Sequence, residues 1–83
     1  MLSTSILIME KSEFNKKVGR YLRKIRLEKK WTQAELASTV NSDFQNISRM
    51  ERGTLSPTLY WLNNITEALE INLGDFIKNA LKE

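Results

Sequence analysis

The sequence predicts an all-α fold of five helices. Three observations carry that prediction. One Pro and three Gly among 83 residues leave little to interrupt a helix. Apolar residues recur at three- and four-residue spacing in separate stretches. Ahead of each stretch stands Ser, Thr, Asp or Asn, the residue types that cap helix N-termini. At this length the chain reads as one domain, of a size that buries only about 60% of the surface its unfolded chain exposes.

Helix 1 is expected from about Glu13 to Lys29, capped by Ser12, with Phe14, Val18, Tyr21, Leu22 and Ile25 on one face and Leu27 off the stripe. Thr32 and Glu35 form a capping box that starts helix 2, whose short inward face is Leu36, Ala37 and Val40, and Asn41 suits the left-handed residue that ends it. Asp43 caps helix 3, about Phe44 to Arg52, with Ile47 and Met50 inward and Gly53 as its left-handed stop. Thr58 caps helix 4, which carries Leu59, Leu62, Ile65, Ala68 and Leu69 inward and ends near Glu70. Asn72 caps helix 5, about Leu73 to Lys82, bearing Leu73, Phe76, Ile77, Ala80 and Leu81.

Composition narrows the function. With no Cys there is no disulfide framework, thiolate metal site or thiol nucleophile, and with no His the commonest general base and metal ligand is missing as well. No enzyme, metal or cofactor is expected. The apolar run Ile6-Leu7-Ile8-Met9 is far shorter than the roughly 20 residues a membrane span requires and has no positive charge before it, so the expected compartment is the cytoplasm. The net charge of +3 is unevenly placed. Nine Lys and Arg against three Glu between Glu10 and Lys30 give that stretch +6, leaving the rest of the chain at −3. A basic first helix suits a polyanionic partner, although a solvated Lys/Arg face is the more common meaning of such a run.

The stretch TQAELASTVNSDFQNISRMERG, residues 32–53, carries the functional signal. Two helices this short are marginal alone, because isolated helices under about 12 residues barely hold in water. Their value lies in geometry: one short helix packed behind another leaves the second projecting, as insertion into a DNA major groove about 12 Å wide requires. The outward set on helix 3 is Phe44, Gln45, Asn46, Ser48 and Arg49. Arg49 can present two donors to guanine O6 and N7, Gln45 can pair with adenine N6 and N7, and Phe44 can lie against a thymine methyl. Gln33 offers its amide to a phosphate beside a helix N-terminus. Arg52, next to Gly53 and Thr54, either reaches a phosphate or pairs with Glu51 or Glu35.

From Ile25 to Leu59, IRLEKKWTQAELASTVNSDFQNISRMERGTLSPTL resembles the XRE family of helix-turn-helix regulators, which contains the Cro and lambdoid phage repressors and the controller proteins of restriction-modification systems. The matching pattern is T-Q-x-E-L-A, then I-S-x-hydrophobic-E-R-G, then P-[ST]-L, and with the flanking helices the likeness spans about Phe14 to Ile77. The resemblance implies a five-helix, lambda-repressor-like domain over residues 12–83 that binds double-stranded DNA as a homodimer on a roughly palindromic operator. It places base contacts at Phe44, Gln45, Ser48 and Arg49, and phosphate contacts at Gln33, Asn46, Arg52 and Thr54. It places dimer contacts at Leu73, Phe76, Ile77 and Leu81. Glu51 and the loop after helix 3 are its candidates for touching RNA polymerase.

Some positions depart from the family. Lys30 stands where Gly is common, so either it is left-handed, at about 1–2 kcal/mol, or the turn differs. Trp31 replaces a common Leu. Asn41 and Ser42 replace Gly and an aliphatic, removing an apolar anchor from the corner. Residues 1–11 fall outside the likeness. Within them Ser5 to Met9 reads as a strand pairing across a dimer, a flap over helix 5, or a leader before a second start at Met9, with packing at the dimer region the expectation. The alternative functions are the antitoxin of a toxin-antitoxin pair and a helical protein-interaction module. The polar set at 45, 46, 48 and 49 argues against the module, which would present acidic or apolar residues there.

Overall fold

The computed structural model describes residues 9–83, so the expectations for Ser5 to Ile8 lie outside the described residues. Five helices follow one another: α1 (Lys11–Glu28), α2 (Gln33–Thr39), α3 (Phe44–Glu51), α4 (Leu59–Ala68) and α5 (Leu73–Lys82). Four of the five expected caps are in place. Thr32 and Glu35 form the reciprocal capping box, at 3.0 Å and 2.7 Å. Asp43 accepts from the Asn46 N–H, Thr58 from that of Trp61 and Asn72 from that of Asp75. Ser12 is the exception. The α1 helix starts earlier, at Lys11, with Glu10 as an N-cap that makes no side-chain bond, and Ser12 lies exposed in the first turn.

Four helices end in the same way. At Lys30, Asn41, Gly53 and Glu70 the backbone is left-handed, with φ of 62°, 56°, 78° and 62°. In each case that residue and the next donate back into the last turn: Lys30 to Leu27 and Trp31 to Arg26, Asn41 to Ser38 and Ser42 to Ala37, Gly53 to Met50 and Thr54 to Arg49, Glu70 to Glu67 and Ile71 to Thr66. This is the Schellman motif, which satisfies the carbonyls a helix leaves unpaired. Lys30 therefore takes the left-handed option, and Glu70 does so where no sequence signal marked it. Lys and Glu pay about 1–2 kcal/mol for this conformation and Gly does not. Lys30→Gly and Glu70→Gly should each stabilise the protein by about 1 kcal/mol, raising Tm by about 4–8 °C apiece. Asn41→Gly should gain less, since Asn tolerates the conformation. Thermal melts of the single and combined variants check this. The Lys29–Glu70 ion pair lost on the way is exposed and contributes little.

The core is drawn from every helix: Val18, Tyr21, Leu22 and Ile25 from α1, Leu36 and Ala37 from α2, Ile47 and Met50 from α3, Leu62 and Ile65 from α4 with Leu69 just beyond it, Phe76 and Ala80 from α5. Phe76 is fully buried and meets the Tyr21 ring edge-on at 5.1 Å. That overturns its assignment to a dimer surface, because a side chain with no exposed area has nothing left to offer a partner. Leu73, Ile77 and Leu81 are half-buried. Leu59 is also not where expected: it is 71% exposed. It occupies the first turn of α4, beyond the part of that helix that reaches the core. Phe14 and Val40 lie half-buried at the core's margin, and Leu27 is exposed.

Two close contacts, besides the core, hold α1 against the α3 end of the molecule. At Gly19 the α1 backbone runs so close to the end of α3 that a Cβ would sit 2.3 Å from the Met50 carbonyl oxygen and 2.7 Å from that of Glu51. Buried Asn15 accepts a hydrogen bond from Ser56 Oγ at 2.9 Å, tying the α3–α4 loop to α1. On the far side Lys24 reaches Glu83 at 3.1 Å, and that hydrogen bond holds its ammonium above the ordinary lysine pKa.

Candidate nucleic-acid interface

The corner between α2 and α3 is built by local chemistry. Asn41 turns the chain left-handed, Ser42 N–H closes the last turn of α2 on Ala37, and Asp43 opens α3. Ser42 supplies a polar anchor where an aliphatic side chain is usual, as its Oγ accepts from Asn46 Nδ2 at 3.3 Å. Ile47 and Met50 then bury one side of α3. Phe44, Gln45, Ser48 and Arg49, the four residues expected to read bases, share the other side, where with Arg52 they line one shallow recess of about 310 Å³. Phe44 does not fold back onto the core but stays 53% exposed. Arg49 Nη1 donates to Asn46 Oδ1 at 3.4 Å, so Asn46 is already engaged at both ends of its amide.

Behind this face lies a hydrogen-bond network not foreseen from the sequence. Arg26 and Glu51 form a two-pronged ion pair, Nε to Oε2 at 2.6 Å and Nη2 to Oε1 at 3.0 Å, with side chains only 7% and 3% exposed. Arg26 Nη1 also donates to the Trp31 carbonyl at 2.8 Å, and Gln33 Nε2 donates to Glu51 Oε1 at 3.0 Å. One carboxylate thus ties α1, the turn after it, α2 and α3 together. A signal was available: Arg26 stands four residues after Leu22 and Glu51 four after Ile47, so each continues an inward stripe. Two charged residues at core positions on different helices imply that they pair.

The network settles two open readings. Of the two candidates for touching RNA polymerase, Glu51 is removed, since its carboxylate is buried and both oxygens are taken. Nor does Arg52 pair with Glu51 or Glu35: the first is occupied by Arg26, the second bonds the Thr32 N–H, and Arg52 is exposed beside the recess. Thr54 turns back on α3, its N–H and hydroxyl both donating to the Arg49 carbonyl, so a phosphate contact there requires the hydroxyl to rotate. Along α1, Lys11, Lys16, Arg20, Arg23 and Lys24 are exposed cations, the last of them paired with Glu83.

A short helix fastened across a second, whose outer side collects amide, hydroxyl, guanidinium and phenyl groups in one recess, defines a helix-turn-helix DNA-binding domain. Residues 22–76 match the helix-turn-helix family HTH_3, and the chain belongs to that family, the XRE-type regulators of transcription. Among solved structures it is similar to the clp gene regulator ClgR from Corynebacterium glutamicum, with a TM-score of 0.80 and 26% identity over 83% of this chain and 88% of that one. It is also similar to the restriction-modification controller protein C.Esp1396I, at a TM-score of 0.75 and 36% identity over 83% and 90% of the two chains. C.AhdI from Aeromonas hydrophila, another such controller, gives 0.77 and 25% over 82% and 99%. No curated protein matches the chain. Among the described residues, no helix is long and apolar enough to cross a membrane.

Proposed function

We propose that this protein is a controller-type regulator that binds a roughly palindromic operator as a homodimer, in the cytoplasm and without a cofactor. The observation that carries the reading is the recess on α3: Phe44, Gln45, Ser48, Arg49 and Arg52 converge on one exposed surface, behind which the helix is locked by its buried side. Recognition falls to Arg49 and Gln45 on base edges, Phe44 on a thymine methyl and Ser48 on either. Gln33, Asn46 through the second N–H of its amide, Arg52 and, with its hydroxyl rotated, Thr54 hold phosphates. The half-buried Leu73, Ile77 and Leu81 of α5 support self-association. Leu59 and Tyr60, 71% and 77% exposed, are the most exposed large apolar side chains among the described residues and offer a partner copy further apolar surface. The likeness to C.Esp1396I, solved as a tetramer on its natural 35 base-pair operator, supports this reading. Any touch on RNA polymerase belongs to the exposed part of the α3–α4 loop.

Selection from a random duplex library at physiological salt, with sedimentation alongside, tests it. An inverted repeat bound by a dimer is expected; a folded protein that enriches no sequence overturns the reading. On the selected duplex, Arg49→Ala should relax preference at one base position, with about 1–3 kcal/mol of discrimination lost there. Its effect on unrelated DNA should be smaller.

A further inference from the structure

We propose that Glu51 is a positioning residue for DNA binding: it holds the Gln33 amide in one orientation, so that this side chain meets a phosphate already set. The inference rests on the reading of Gln33 as a phosphate contact and goes beyond it. Gln33 is half-buried, and its Nε2 donates to Glu51 Oε1 at 3.0 Å. A carboxylate only accepts hydrogen bonds, so the nitrogen of the amide, not its oxygen, faces Glu51 and the flipped rotamer is excluded. The carboxylate is itself immobile. Arg26 grips both of its oxygens, and Arg26 is fixed by its bond to the Trp31 carbonyl.

An amide nitrogen carries two N–H groups. One is spent on Glu51, and the second remains to be offered outward in a direction the first bond determines. Gln45, by contrast, is exposed and makes no side-chain hydrogen bond among the described residues. It must be ordered when it binds, whereas Gln33 is ordered by folding. Arg26 serves a second purpose here: by neutralising Glu51 it removes the negative charge that would otherwise repel a phosphate at Gln33.

The test is a double-mutant cycle on the full chain, titrated well below the melting temperature with the selected duplex and with an unrelated one. Gln33→Ala should weaken both by about tenfold, the order expected for one well-made hydrogen bond, without changing the salt slope, because the residue is neutral. Glu51→Gln makes the protein more positive by one charge, so a purely electrostatic role predicts tighter binding. Positioning predicts the opposite: a loss comparable to that of Gln33→Ala, and no further loss when Gln33 is already Ala. If Gln33→Ala changes nothing, the phosphate reading of Gln33 fails. If Gln33→Ala weakens binding while Glu51→Gln tightens it or adds its own independent loss, the positioning role alone is overturned. Side-chain amide relaxation of the unmodified protein decides the matter should Glu51→Gln not fold. Gln33 should show an order parameter near that of rigid backbone, about 0.85, and Gln45 one below about 0.6. Equal mobility of the two overturns the proposal.

Discussion

Glu51→Ala should destabilise the protein by about 3–5 kcal/mol, enough to leave a domain of this size largely unfolded at 37 °C. The change strips Arg26 of its partner and leaves a guanidinium that is 7% exposed with only the Trp31 carbonyl for compensation. Removing both charges is a different matter. Because taking two ions out of water costs about as much as their attraction returns, Arg26→Met combined with Glu51→Leu should recover most of the stability lost by either single change. The double variant should nonetheless bind DNA more weakly than the original, since Gln33 has lost its acceptor. Urea denaturation of the four proteins of this cycle, with DNA titration of the folded ones, separates the two effects.

Gly19→Ala should destabilise by about 2 kcal/mol net. In a helix interior this substitution ordinarily gains about 1 kcal/mol. Here the added Cβ meets backbone oxygens of Met50 and Glu51 at 2.3 and 2.7 Å. Backbone cannot swing aside as a side chain does, so α1 and the end of α3 must part, and overpacking of this kind costs about 1–3 kcal/mol or more. Tm should drop by roughly 4–8 °C per kcal/mol. Affinity for specific DNA should fall further than stability alone accounts for, because the displaced helix is the one that carries Arg49. Gly74→Ala is the control: its Cβ would meet only the Asn72 cap oxygen at 3.1 Å, and the effect should be small. A Gly19→Ala protein as stable as the original would show that the two helices are not held at this spacing.

How much of this was legible in the sequence depended on whether the cause was local. Capping is local, so Thr32, Asp43, Thr58 and Asn72 were identified correctly, and with them the starts of four helices. The outward set on α3 followed from a 3.6-residue period once Ile47 and Met50 were placed inward. What was missed is tertiary. Leu59 fits the periodic stripe of α4 but lies where that helix has left the core. The family resemblance places Phe76 at a dimer contact, whereas Tyr21 from a helix more than fifty residues earlier covers it. Arg26 and Glu51 each continue an inward stripe, but that they meet each other shows only once the two helices are brought together. Likewise nothing local marks Glu70 as left-handed; it became so because α4 must stop for α5 to start.

The buried ion pair also bears on whether the DNA-reading motif is portable. Residues 32–53 contain both helices of the motif and every side chain of the recess, which makes them an inviting cassette to graft onto another scaffold. They also contain Glu51 without Arg26, so the transplant would carry an uncompensated carboxylate on its inward side and lack the α1 backbone against which α3 rests at Gly19. The smallest unit that can be moved intact therefore begins within α1, ahead of Gly19. Exchanging specificity between relatives is better done by replacing the side chains at 44, 45, 48 and 49 than by moving the motif.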